Sequence, residues 1–191
     1  MSRTATRERL FTAAIELIAE RGFAAASVDR IAERAGVAKG TVYYNFGSKN
    51  AMFTALLEYG VERFGAALRD AAAGLAPLDQ LGAVVRAELA FIGEHESFAR
   101  LLLAETWRSG GDWPHAARLI RERAIGAVRD VVQAAVDAGE LRTDLDVDMA
   151  ASAVFGMVLT VALDWRTLQP DRPLDDVHAT LMDLLRGRIA T

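Results

Sequence analysis

Two tyrosines stand side by side in the stretch GVAKGTVYYNFGSK, residues 36–49, and the chain's only two lysines, Lys39 and Lys49, flank them. Phenol hydroxyls and ammonium groups are hydrogen-bond donors on long arms. Phosphate oxygens suit them, and such oxygens take roughly half or more of protein–DNA hydrogen bonds. On a helix of 3.6 residues per turn, positions 39, 40, 43 and 44 share one side while 42 and 46 share the other. One side is then Lys39, Gly40, Tyr43 and Tyr44, able to meet a polyanion, and the other is apolar, Val42 and Phe46. The competing reading is two packed tyrosines between solvated lysines.

The elements that would position these residues all read as helix. Alanine is abundant, β-branched runs are few and period-two alternation is absent, which predicts an all-α fold of about nine helices. The first helix spans about 4–21, with Leu10, Ala14, Leu17 and Ile18 on one face. Gly22 is expected to end it in a left-handed cap, with Phe23 folding back on the last turn. Ser27 is placed to cap a second helix, about 28–35, which buries Val28, Ile31, Ala32 and Ala35; Asp29 sits near its positive end. Gly36 breaks that helix, and a short third follows at about 39–45. Ser48 caps a long fourth helix reaching about residue 72, with Phe53, Leu56, Leu57, Val61, Phe64 and Leu68 as its stripe. After a break at 71–77, helices are expected at about 78–94, 97–107, 114–138, 147–165 and from 174 to about 188. The segment RSGGDWP, 108–114, reads as a mobile loop.

The second and third helices are joined by AGVA, residues 35–38. Glycine permits the reversal and Val37 can plug the angle, a spacing that fits a helix-turn-helix. The longer span AAIELIAERGFAAASVDRIAERAGVAKGTVYYNFGSKNAMF resembles the DNA-binding domain of the TetR family of transcriptional regulators over about residues 7–54. Residues 55–191 resemble that family only in helix number, order and length, and in AGELRTDLD before an apolar helix.

The resemblance implies a helix-turn-helix domain at 1–48 and an effector-binding and dimerisation domain at 49–191. It implies that Ser27 caps the second helix and offers its hydroxyl or amide to a phosphate. Lys39 and Thr41 would open the recognition helix against base edges or phosphates, and Gly40 would let the backbone approach the duplex. Tyr43 would reach the groove wall or a base, Tyr44 and Lys49 would hold phosphates, and Val42 and Phe46 would point inward. Two positions depart from the family's pattern. Ala38 stands where Ser or Thr is common, costing a cap worth about 1 kcal/mol. Asn45 stands where histidine is common and receives no role.

The resemblance further implies a homodimer on a palindromic double-stranded operator, and a small-molecule effector of unknown identity that releases it. The apolar stretch Met149–Leu163 carries Ser152, Gly156 and Thr160 at i, i+4 and i+8, a groove that packing within one subunit or between two would both use. Its length, about 15 residues, falls short of the roughly 20 a membrane span needs. The dimer candidates are Gly156, Val177, Leu181 and Leu184. Phe64, Phe91, Trp107, Trp113, Phe155 and Trp165 are candidates for the effector pocket, with ordinary core packing the favoured reading for each taken singly. Glu105, Arg108 and His115 are the polar candidates near the loop.

Bulk properties bound the alternatives. The chain has 191 residues, 52% hydrophobic, and no cysteine, so disulfide and thiolate chemistry are excluded. Residues 1–49 hold eight Lys/Arg against five Asp/Glu, a net +3 within a chain of net −4, so the basic end is the N-terminal one. His95, His115 and His178 are scattered with no metal-ligand spacing, and no nucleophile with a base stands out, so no enzyme, metal or cofactor is expected. The charged N-terminus lacks an apolar core, so it is not read as a signal peptide and a cytoplasmic protein is expected. The rival is a helical ligand-binding or interaction protein that does not bind DNA, which leaves residues 27–49 unexplained.

Overall fold

The computed structural model describes residues 3–106 and 118–187, the side chains of 3, 22–24 and 104–106 excepted. Every regular element among them is helical. In chain order these are α1 (Arg3–Ala25), α2 (Val28–Arg34), α3 (Lys39–Phe46), α4 (Lys49–Ala72), α5 (Pro77–Glu94) and α6 (Glu96–Thr106). A single π-helical stretch, Ile120–Ile125, then leads into α7 (Gly126–Asp137), α8 (Val147–Leu168) and α9 (Leu174–Leu185). The chain forms two compact units, Met1–Gly60 with Ser97–Ala117 and Val61–Glu96 with Arg118–Thr191, so α4 contributes residues to both.

In the first unit α1 packs on α2 and α2 on α3. Leu10, Phe11, Ala14 and Leu17 of α1, Ile31 and Ala32 of α2 and Val42 of α3 are buried. Phe11 lies 5.4 Å from the ring of Phe46 and 5.2 Å from that of Tyr59, while the Arg7 guanidinium sits 4.7 Å from the Phe46 ring centre. The short α3 is thus anchored by Val42 and by Phe46, which is half-buried. Burial supplies what so short a helix lacks in intrinsic stability.

α1 does not stop at Gly22. It continues to Ala25. A glycine inside a helix costs only about 1 kcal/mol, and the alanines that follow are the best helix formers, so the stop moves to the capping residue beyond them. The side chain of Phe23 lies outside the described residues. Gly36 does turn the chain, at φ +64°, a conformation that L side chains rarely adopt. α8 runs three residues past its expected end, and π-helical winding interrupts the helix expected over 114–138. The loop 108–114 lies outside the described residues.

In the second unit α5 packs against α7, α8 and α9. By length and composition α8 is apolar enough to cross a membrane. Here Ala151, Val154, Phe155, Val158, Leu159, Ala162, Leu163 and Trp165 are buried, as in a core helix. Its other side is only partly covered among the described residues: Met149 and Leu168, near its two ends, are both about two-thirds exposed.

Candidate nucleic-acid interface

The turn between α2 and α3 is held from three directions. Ser27 has extended backbone, and its Oγ accepts the amide of Arg30 at 3.3 Å, capping α2. From α1, Arg9 donates to the carbonyls of Ala35 and Gly36, satisfying acceptors that a helix end leaves open. Arg34 reaches Glu20 of α1 at 2.6 Å. These bonds cap α2 and tie it and the turn to α1.

α3 begins at Ala38, which has cap geometry but no side-chain cap bond. The resulting free amides sit at a positive helix end. Ala38→Ser should stabilise the first unit by about 1 kcal/mol, read as a higher unfolding midpoint; an unchanged midpoint would mean that water already serves those amides as well.

Along α3 the two sides separate as expected. Val42 is buried, whereas Tyr43 is 45% and Tyr44 80% exposed. Gly40 is exposed, and a Cβ built on it meets nothing within 4 Å, so no packing inside the chain demands a glycine there. Thr41 is half-buried. Asn45 turns back on its own helix, its Nδ2 donating to the Thr41 carbonyl at 2.7 Å, while its buried Oδ1 has no partner. That internal bond explains how Asn45 is accommodated without a role on the exposed face.

Lys39 is exposed but already engaged. Its Nζ pairs with Asp29 of α2 at 2.8 Å, and that hydrogen bond holds its pKa above the ordinary lysine value. A phosphate at this position would exchange with Asp29, a competitor the sequence reading did not weigh. Lys49 opens α4, which Ser48 caps by accepting the Ala51 amide at 3.1 Å. It is half-buried, and desolvation lowers its pKa. Lys39, Gly40, Tyr43, Tyr44, Ser27 and Lys49 all lie in the first unit, on or beside the helix-turn-helix.

The pocket candidates divide. Phe64 stacks on Phe91 with ring centres 4.6 Å apart, and Phe155 closes on Phe64 at 5.9 Å, one aromatic cluster in the second unit. Trp165 is buried, and its indole N–H donates to the Arg172 carbonyl at 2.9 Å. It lines a cavity of about 90 Å³ with Val177, Leu181 and Leu184. Trp107, Trp113, Arg108, His115 and the side chain of Glu105 lie outside the described residues. Among the interface candidates Val177 and Leu181 are buried within their own chain, which leaves Leu184, 39% exposed, and Gly156, whose Cβ position is open, with surface to offer.

Glu88 of α5 was not singled out from sequence. It is the one buried charged-type residue among those described, at 0% exposure. Neither carboxyl oxygen has a hydrogen-bond partner among the described residues, and burial pushes its pKa well above the usual carboxylate range. Leaving such a group unsatisfied costs about 1–3 kcal/mol. The warning was present: residue 88 falls within the apolar stripe Leu81, Val84, Val85, Leu89 and Ile92.

A capped α2, a tight glycine turn and a short α3 with an exposed polar side define a helix-turn-helix protein of the DNA-binding class. Comparison with known proteins gives the same class. Residues 10–56 match the family model described as bacterial regulatory proteins, tetR family, and residues 74–186 match the model of the tetracyclin repressor-like C-terminal domain. The chain belongs to the TetR family of transcriptional regulators. It is 28% identical over 163 residues to the HTH-type transcriptional regulator UidR of Escherichia coli, covering 83% of this chain and 81% of that relative. It is 31% identical over 181 residues to the HTH-type transcriptional activator FasR of Mycolicibacterium smegmatis, covering 92% and 78%. In fold it is similar to the regulator FadR of Bacillus subtilis, solved in complex with stearoyl-CoA: TM-score 0.81, 22% identity, 93% of this chain and 96% of that one.

Proposed function

We propose that this regulator is a cytoplasmic homodimeric repressor: residues 1–48 hold a palindromic operator, residues 49–191 hold the second subunit and a small-molecule effector, and the effector releases the DNA. The observation that carries the DNA-binding part is the split of α3, with Val42 buried and Lys39, Gly40, Tyr43 and Tyr44 exposed on a helix whose entry and exit are both fixed. Tyr43 reads the groove. Ser27, Tyr44 and Lys49 hold phosphates, and Lys39 and Thr41 take phosphates or base edges. Two such helices meet half-sites one DNA turn apart, about 34 Å.

The partly covered side of α8 supports the dimer. Met149, Gly156 and Thr160 fall on one stripe that is exposed or half-buried among the described residues, and Leu184 of α9 is a further exposed apolar side chain. Leu184→Glu should give monomers by light scattering with circular dichroism unchanged, because the side chain is exposed. Dimers persisting in that variant and in Gly156→Arg would remove this surface from the interface.

The Phe64, Phe91 and Phe155 cluster supports an apolar effector. The likeness to a regulator solved with stearoyl-CoA makes long-chain acyl compounds the first class to try. For release, the effector must bind one spacing of the recognition helices better than the other.

The test is binding to a duplex selected by the protein from a random library, over about 50–200 mM salt. Affinity should fall steeply with salt, and Lys49→Ala should reduce the log–log slope by about 0.9. Absence of duplex binding at low salt sinks the reading. Activation is the second reading, favoured by the similarity to FasR; a reporter whose output falls on deletion of the regulator would establish it over repression.

A further inference from the structure

Inside the second unit one helix face carries chemistry that the regulatory reading does not use. Glu88, Phe91 and His95 follow one another at i, i+3 and i+7 on α5, within the same side of the helix. Glu88 is fully buried with both oxygens unpartnered among the described residues. Phe91 stacks on Phe64 and touches the edge of the His95 ring at 4.5 Å. His95 is half-buried at the C-terminal end of α5. The stripe thus runs from a buried carboxyl, past an aromatic stack, to a partly open imidazole about 10 Å along the helix.

We propose that Glu88 is a ligand-recognition residue: its carboxyl is the buried hydrogen-bond anchor for an uncharged oxygen, a hydroxyl or carbonyl, of an otherwise apolar effector lying along the Phe64–Phe91 stack. This rests on the effector-binding reading above and adds the chemistry of the recognised group. A carboxyl in an apolar core with no bond among the described residues is one that any apolar substitution would remove, so its presence calls for a further partner. As a neutral acid it donates one O–H and accepts at its carbonyl, the complement of a hydroxyl or carbonyl oxygen. A cationic ligand would instead bury an ion pair at a fully buried carboxyl, and desolvation opposes that. Burial raises the Glu88 pKa and lowers that of His95, so both ends of the stripe favour their uncharged forms.

The experiment uses three probes with one chain length and different heads: decan-1-ol, decylamine and decanoate. Uptake by the full-length protein, without DNA, is measured calorimetrically for the wild type, Glu88→Gln and Glu88→Leu. The alcohol should bind the wild type at least tenfold tighter than the amine or decanoate. Glu88→Gln, whose amide still donates and accepts, should stay within about threefold, and Glu88→Leu should lose tenfold or more while remaining folded by circular dichroism. Preference for the amine with loss in Glu88→Gln overturns the neutral-oxygen assignment in favour of a cation site. Equal alcohol binding by the wild type and Glu88→Leu, or uptake of none of the probes by the wild type, overturns the proposal. Release of the selected duplex by stearoyl-CoA, equal in the wild type and Glu88→Leu, keeps the repressor reading and rejects the role of Glu88. Probe uptake at Glu88 without any effect on DNA does the reverse.

Discussion

Tyr43→Ala should weaken binding to the selected duplex by about 1–3 kcal/mol, the range of one good groove contact, or roughly 5- to 150-fold. The ring is 45% exposed on a helix held by Val42 and Phe46, so its loss leaves the fold in place and the change in affinity reads the contact itself. Tyr43→Phe separates the hydroxyl from the ring: retained affinity assigns the contact to stacking or packing against the groove wall. Gly40→Ala is the companion experiment, because its two effects have opposite signs. Nothing within 4 Å meets an added Cβ and the residue is helical, so alanine should stabilise the free protein by up to about 1 kcal/mol. The same methyl blocks close approach of the duplex and should reduce affinity. A variant that gains stability and keeps full affinity would show that the DNA does not come near this turn. Unchanged affinity in Tyr43→Ala would remove that residue from the interface.

The second large effect is on stability. Glu88→Leu should raise the unfolding free energy at pH 7 by about 1–3 kcal/mol, since an unsatisfied buried polar group is exchanged for an apolar side chain of similar size. The direction with pH follows from the raised pKa of the buried carboxyl. The folded state keeps its proton at pH values where the unfolded chain has lost it. Wild-type stability therefore falls as pH rises from the ordinary carboxylate value toward the raised one, and is fully retained only below that ordinary value. Glu88→Leu lacks this component, so the gap between the two proteins should widen from acid toward neutral pH. Parallel stability curves from pH 4 to pH 8 would mean that the carboxyl has a partner in solution. A gain in stability together with the loss of alcohol uptake would show a group held against stability for the sake of a ligand.

Much of the first unit was legible because its rules are local. Ser27 and Ser48 cap helices through bonds that reach only three residues along the chain. Gly36 turns the chain through its own φ, and the spacing of Val42 and Tyr43 assigns one to the core and the other to the surface. The end of α1 was misplaced for the same reason in reverse: a glycine is a stop only when a capping geometry wins, and here helix propensity carried the chain on to Ala25. The pairing of Lys39 with Asp29 was not legible, because it joins residues from two helices whose angle depends on Arg9 and Arg34 holding the turn.

In the second unit the sequence alone determined helix order and the apolar character of α8 and α9, since periodicity is written into every turn. Which side of each helix is covered was left to tertiary packing. Val177 and Leu181 share a stripe with Leu184, yet the first two bury within their own chain and the third does not. The three phenylalanines are far apart in sequence and meet only when α4, α5 and α8 pack together. Glu88 shows the limit best. Its place in an apolar stripe is visible in the sequence, but a glutamate there could equally have found an arginine or water. Only the packed core, by burying it away from solvent with no donor among the described residues, turned it into an unpartnered acid. Secondary structure and the exposed side of α3 follow from short-range geometry; the interior chemistry was decided by what the folded core brings to each side chain and what it leaves without a partner among the described residues.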